Sequence, residues 1–263
     1  MNNFHTFEHV AMKTTFALRL DQDDRALCEK VAHASMERIN NIEQQLSRYI
    51  QGSDIWQINH MASGQSLFIG EDCYKCLQLS LQASIDTFGL FDATIGKRIE
   101  HVKNNGKKQL PLLVGQLLID PKRPIVHCSN AGREVDLGGI AKGYALDQVK
   151  QLCIDWDIQS GLLSAGSSTH LAIGKRPWPI TIKKHERNKI IRIKDEALSV
   201  SGKKIQNNHI VSPISAGNTN YNYDQIRVAH KSAATADAYS TAALLMNDEQ
   251  LLKLNKNATI ITE

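Results

Sequence analysis

Apolar residues recur along this chain with two different periods, and the changes between them mark out its elements. From Met12 to Leu20 apolar and polar positions alternate, which predicts a strand, because successive strand residues face opposite sides. From Asp23 to Arg48 the spacing lengthens to three and four residues through Leu27, Val31, Ala34, Ile39, Ile42 and Leu46, and predicts a long helix. Acids at Asp21, Asp23 and Asp24 stand at its start, where the helix dipole favours negative charge. A polar loop and a short apolar-periodic segment, Ile55 to Ala62, lead to a second helix over residues 71–88. Gly89 to Gly96 reads as a turn carrying Phe91, Asp92 and Thr94.

Residues 97–135 hold two strand candidates, one around Ile125 to Ser129 and one in the run that opens at Arg133 and ends at Leu137. A third helix is predicted over residues 140–155, directly after Gly138-Gly139. Beyond Gly161 short strand patterns dominate, centred on Leu162–Gly166, His170–Gly174, Trp178–Ile182, Ile190–Ile193, Ala197–Gly202, His209–Pro213 and Gln225–Ala229. The last helix opens near Ala234 and includes Asp237 to Met246. Helices interleaved with mainly antiparallel strands predict an α+β fold, and the absence of repeats or linkers predicts one domain over residues 1–263.

Composition narrows the function classes. Hydrophobic residues make up 42% and charged residues 22% of the 263, ordinary values for a folded chain. The net charge of +4 is small and scattered, which argues against a nucleic-acid partner. The densest basic stretch, Lys183 to Arg187, is interrupted by Glu186 and reads as a solvated hairpin. No run approaches the ~18–20 apolar residues of a membrane span. The first twenty residues show neither a signal peptide nor a lipobox cysteine, so a cytoplasmic location is expected. Five cysteines cannot all pair, which suits a reducing compartment. Cys73 and Cys76 form a CxxC with no second pair to complete a zinc site, and their spacing also fits one face of a helix.

Three constellations can carry chemistry. In Val135–Asp147 a strand pattern meets Gly138-Gly139 and then a helix start, a geometry that leaves helix N–H groups free to face an anion, with Lys142 as a mobile cation in the first turn. Such turns are also common without a ligand, and this one fits neither a Walker A loop nor a Rossmann fingerprint. Asp237 and Thr241 lie four apart on one helical face and form a hard-oxygen pair of the kind Mg²⁺ takes, although an acid there can equally cap the helix. His209 opens a short apolar segment, where it is either a general base or a structural histidine.

In wording and order these stretches resemble the ApbE flavin transferases almost from end to end. Ala11-Met12-Lys13-Thr14-Thr15 is similar to the family's Met-Gly-Thr strand, and Ser47-Arg48-Tyr49 with Ser53-Asp54-Ile55 and Asn59 to its SRY…SEl…N signature. Phe88-Gly89-Leu90-Phe91-Asp92-Ala93-Thr94-Ile95-Gly96 resembles GGaFDpTvG. Asp136-Leu137-Gly138-Gly139-Ile140-Ala141-Lys142-Gly143-Tyr144-Ala145-Leu146-Asp147 is a near-verbatim form of the most diagnostic motif, and Ser199–Gly202, His209–Pro213 and Ala236-Asp237…Thr241 complete the order.

The resemblance implies a T-fold-related α+β architecture of antiparallel sheets packed against helices. It also implies an FAD:protein FMN transferase that uses Mg²⁺, takes FAD as substrate, attaches FMN through a phosphoester to a Ser or Thr of an acceptor flavoprotein, and releases AMP. Met12, Tyr49, Phe91, Asp92, Asp136 and Lys142 would contact FAD. The Gly139 carbonyl, Asp237 and Thr241 would hold the metal with Ser240 as an addition, and His209 would be the base. Without a visible leader, a cytoplasmic acceptor such as a soluble reductase with an FMN-binding domain is expected.

The chain departs from the family's pattern at Lys13 (Gly in the family), Asp54 (Glu), Ser167-Ser168 (Gly-Asp) and Ser212 (Asp). Two other activities stay open at this point: an FAD pyrophosphatase, with water in place of the acceptor, and a non-catalytic FAD-binding protein.

Overall fold

The computed structural model describes residues 4–105, 109–174, 176–182, 189–202, 210–214 and 221–262. Strands β1 (His5–Ala11) and β2 (Thr14–Leu20) open the chain as a hairpin and are followed by helices α1 (Arg25–Leu46) and α2 (Asp54–Asn59). Next come strand β3 (Ser66–Phe68), helices α3 (Glu71–Asp86) and α4 (Gly96–Asn105), and strands β4 (Gln116–Ile119) and β5 (Ile125–Asn130). Helix α5 (Ala141–Asp155) leads into β6 (Gly161–Ala165), β7 (Thr169–Ile173), β8 (Trp178–Ile182), β9 (Lys189–Ile193), β10 (Ala197–Gly202) and β11 (Gln225–His230). Helices α6 (Ala233–Ala243) and α7 (Asp248–Leu254) and strand β12 (Thr259–Thr262) close it.

The main sheet runs β1-β2-β6-β7-β10-β11-β12, antiparallel at every step. Both of its faces are covered at β6, which explains why that strand carries two adjacent leucines, Leu162 and Leu163, rather than an alternation. Leu163 and Leu171 point into the large core, with Val31, Ile39 and Ile42 of α1 and Tyr144 and Val149 of α5. Their neighbours Leu162 and Ala172 point the other way, into a smaller cluster closed by Trp178, Ile180 and Ile193 of the β8–β9 hairpin. The basic run Lys183–Arg187, read from sequence as a solvated hairpin, lies outside the described residues.

Polar contacts fix the helices relative to one another. Arg38 of α1 donates twice to the Asp72 carboxylate of α3 at 2.5 Å, and the Tyr144 hydroxyl of α5 donates to the same carboxylate at 2.7 Å. Burial pushes the Asp72 carboxyl up, but the hydrogen bonds from Arg38 and Tyr144 outweigh it and hold the group below the usual carboxylate range. Helix α5 meets the start of α6 at Gly143, where a Cβ would lie 2.1 Å from the Ala233 carbonyl oxygen, so glycine alone permits this approach. One turn on, Asp147 accepts from the Ala233 and Ala234 N–H groups at 2.8 and 3.0 Å and from the Ser232 hydroxyl at 2.7 Å, capping α6 from outside its own chain segment.

The α+β fold and most elements match the sequence reading, with differences that have local causes. The first expected strand begins at Thr14, because Met12 and Lys13 form the two-residue turn of a hairpin, with φ of 50° and 57°. Its partner β1 was hidden by the polar residues on its half-exposed face. Residues 97–105, which the sequence reading gave no element, lie in helix α4. The run Arg133–Leu137 is not a strand but an extended passage with isolated bridges. There the side-chain amide of Asn59 bonds both the N–H and the carbonyl of Val135, at 2.6 and 2.9 Å, and takes the place of a strand neighbour. Ile210 and Val211, expected in a strand, are buried but lie in no strand.

Candidate functional site

The contact between α5 and α6 places two motifs nearly a hundred residues apart on one spot. The Gly138-Gly139 turn opens α5, and a Cβ on Gly139 would stand 3.3 Å from the Thr241 hydroxyl and 3.2 Å from the Phe91 ring. The backbone therefore runs directly over Thr241, as the two glycines allow. Beneath it lies Asp237, only 2% exposed. One of its carboxylate oxygens faces the Gly143 N–H at 3.4 Å and the Lys142 ammonium at 3.5 Å. The other faces the hydroxyls of Thr169 and Ser199, both at 3.4 Å. These are long contacts for a buried carboxylate, which leaves it an under-filled acceptor.

Above this layer a cleft of about 660 Å³ is lined by Met12, Phe91, Asp92, Gly139, Lys142 and Thr241. A smaller lobe of about 200 Å³ adjoins it, lined by Leu46, Ser47, Arg48 and Tyr49. Met12, Lys13, Lys103, Asp136, Gly138 and Lys142 border both lobes and form the ridge between them.

Several side chains around the cleft are held by their neighbours. Asp136 accepts from the Gly138 N–H at 2.8 Å and from Arg48 at 3.2 Å, and Arg48 also donates to Glu134 at 2.6 Å and to the Gly96 carbonyl at 2.9 Å. Asp92 accepts from the N–H and hydroxyl of Thr94, both at 2.7 Å, and so closes the turn that carries Phe91. Tyr49 is half exposed; its hydroxyl accepts from Lys103 at 2.9 Å, and the Lys13 ammonium lies 3.9 Å from its ring centre.

The sequence-predicted residues Met12, Tyr49, Phe91, Asp92, Asp136, Lys142, Gly139 and Thr241 thus border one continuous cleft. Ser240 does not border it. Its hydroxyl points into the sheet, within 3.2 Å of Ser199 and 2.9 Å of Ser201, and donates to the Asp237 carbonyl at 3.0 Å. That leaves it a support for Asp237. His209 lies outside the described residues, but the segment after it borders the cleft through Ile210 and Val211. Arg98 of α4 pins that segment, donating to Pro213 at 3.0 Å and Ser212 at 3.4 Å through their carbonyls, and its burial lowers its pKa.

Arg48, Arg98, Lys103, Thr169 and Ser199 were not singled out from sequence. Arg48 and Ser199 left a signal, as members of the quoted Ser47-Arg48-Tyr49 and Ser199–Gly202 stretches. Cys73 and Cys76 are fully buried free thiols whose pKa burial pushes up, as the one-face reading expected. Among the described residues no three His, Cys, Asp or Glu gather in a metal-holding group, and no helix is long and apolar enough to cross a membrane.

The sequence profile of the ApbE family matches residues 12–261. The chain belongs to the ApbE family. Among its relatives, the FAD:protein FMN transferase of Vibrio cholerae is 22% identical over 268 residues, covering 91% of this chain and 80% of that one. The FAD:protein FMN transferase of Klebsiella pneumoniae is 25% identical over 195 residues, covering 70% of this chain and 60% of the relative's length. In fold, the chain superposes on the apo flavinyl transferase ApbE of Pseudomonas stutzeri with a TM-score of 0.86, at 22% identity over 99% of this chain and 90% of that one. It also superposes on the ApbE protein of Thermotoga maritima, with a TM-score of 0.83, 23% identity and coverage of 99% and 94%.

Proposed function

We propose that this chain is an FAD:protein FMN transferase that works with Mg²⁺, residues 1–263 acting as one domain. The names of its ApbE relatives support the activity. The observation that carries it to this chain is the stacking of the Gly138-Gly139 turn on Thr241 and Asp237, with Lys142 beside them, at the floor of a two-lobed cleft. A dinucleotide has the matching form: two ring systems joined by a doubly charged diphosphate.

The residues present fit a hard divalent cation. Asp237 supplies a buried carboxylate with only long contacts, Thr241 a hydroxyl at the cleft floor, and Gly139, whose backbone passes over Thr241, a carbonyl. All are oxygen donors, and a single carboxylate suits Mg²⁺, which completes its shell with water and phosphate. When bound, the ion would neutralise diphosphate charge and stabilise the departing AMP.

The chain's own residues do the rest. The Lys142 ammonium holds the diphosphate over the Gly138-Gly139 turn, and Phe91 packs behind that turn so that the phosphates approach closely. Tyr49 offers a ring face in the smaller lobe. A Ser or Thr hydroxyl of the acceptor attacks the FMN-side phosphorus, the bond to the AMP oxygen breaks, and the hydroxyl proton passes to His209, whose place in this step rests on sequence. Arg98 holds the following segment at the cleft wall. The acceptor is a flavoprotein with a Ser/Thr-Gly-Ala-Thr-like stretch, and a cytoplasmic one is expected.

Incubation with FAD, Mg²⁺ and a purified flavin-acceptor domain tests this. AMP release matched by covalent FMN on the acceptor supports the transferase. Free FMN with AMP would make the chain a pyrophosphatase, and unchanged FAD a binding protein.

A further inference from the structure

Lys13 stands where the family pattern has glycine, on a turn whose backbone would suit glycine better. Met12 and Lys13 both have positive φ, of 50° and 57°, a region that side chains disfavour. The turn is held in place, since the Met12 N–H donates to Glu43 of α1 at 2.8 Å. The Lys13 side chain is thereby aimed at the ridge between the two lobes, where Lys103 and Lys142 also stand. Its ammonium lies over the ring of Tyr49, 3.9 Å from the centre, and among the described residues no carboxylate pairs with it. Lys103 holds the Tyr49 hydroxyl at 2.9 Å, so the ring stays put whether or not Lys13 covers it.

A planar ligand ring and the Lys13 ammonium cannot share that face of Tyr49. A ligand that stacks there displaces the cation, and a ligand that also carries a diphosphate across the ridge offers it a better partner than the ring it left. We propose that Lys13 is a specificity-determining residue that opposes bare flavin rings and favours a flavin joined to a diphosphate. This rests on the FAD reading above. It makes the tyrosine face a guarded subsite: a ring without phosphates must displace a cation with nothing to receive it.

The test is equilibrium titration of the full chain and of Lys13→Met and Lys13→Arg with FAD and with riboflavin, followed by flavin fluorescence. For Lys13→Met we expect FAD binding about tenfold weaker, the loss of one charged contact. Riboflavin binding is expected to be about threefold tighter, because the cation–π contact no longer competes. Lys13→Arg, which keeps the charge, is expected to stay within about threefold of the unaltered chain for both ligands. Changes of the same sign and size for both ligands, no change for either, or a Lys13→Arg loss equal to that of Lys13→Met would overturn the proposal. Failure of the unaltered chain to bind FAD at all would instead overturn the functional reading on which it stands.

Discussion

The Lys142 ammonium sits 3.5 Å from the Asp237 carboxylate and 2.8 Å from the Gly138 carbonyl oxygen, so it fills the gap between the buried acid and the cleft. In the free chain, then, the lysine supplies the positive charge that the acid needs. A divalent cation drawn to the same carboxylate must displace it, and a displaced Lys142 has the ridge, and any diphosphate on it, within reach.

Replacing Lys142 by Met should therefore have opposite effects on two ligands. Binding of Mn²⁺ alone, followed by electron paramagnetic resonance, is expected to tighten about fivefold, the loss of a partly buried competing charge worth ~1 kcal/mol. FAD binding is expected to weaken about tenfold, since a charged phosphate contact is lost, with riboflavin unchanged. Weaker Mn²⁺ binding in the variant would show that lysine and metal do not compete.

Asp237→Asn keeps the shape of the side chain and removes its charge. Mn²⁺ binding and Mg²⁺-dependent AMP release should both vanish while circular dichroism stays that of the unaltered chain. Retention of full metal-dependent turnover by the folded variant would exclude Asp237 as a ligand.

His209→Asn is expected to slow FMN transfer by ~10²-fold, the lower end of a positioned base's contribution, with FAD affinity nearly unchanged. Normal turnover at saturating FAD together with weakened affinity would instead make His209 a binding residue.

Gly143→Ala tests the joint on which the site depends. Its Cβ would meet the Ala233 carbonyl oxygen at 2.1 Å, and backbone on both sides leaves nothing flexible to yield. A loss of ~1–3 kcal/mol in denaturant unfolding is expected, as for other overpacked positions, together with weaker Mn²⁺ binding as Gly139 and Thr241 are pushed apart. Stability lost without any change at the metal would separate the joint from the site.

Asp72 supplies a pH dependence. Its folded pKa lies below the usual value, so its contribution to stability is complete above the unfolded pKa of ~3.9 and is lost as pH falls through the lower folded value. Unfolding by urea between pH 5 and the acid limit should show this slope, and Asp72→Asn should flatten it. The variant should also lose about 2 kcal/mol near neutral pH, less than a fully buried pair because Arg38 stays partly exposed. An unchanged acid slope would count against the assignment.

Much of the fold was legible because the periodicities are long. Residues 25–46 keep one apolar stripe over six turns, and no strand can imitate that. The extended passage at Arg133–Leu137 misled because side-chain alternation reports an extended backbone but not its partner; here the partner is the amide of Asn59, which no local pattern announces. At the site, the glycine turn, Lys142, Asp237 and Thr241 were readable from spacing and resemblance. Arg98 and the hydroxyls of Thr169 and Ser199 were not, since their roles arise from strands and helices that meet only in three dimensions.

The close crossing of α5 and α6 at Gly143 also governs when the site comes into being. The glycine turn and Lys142 are synthesised well before Asp237 and Thr241, and the cap on α6 is held by Asp147, which belongs to the earlier part. A nascent chain that has emerged only as far as β11 carries the phosphate-facing half with no acid beneath it. With metal held as proposed, neither half would load the ion by itself, and it would enter only after the polypeptide had docked its late helix onto its early one.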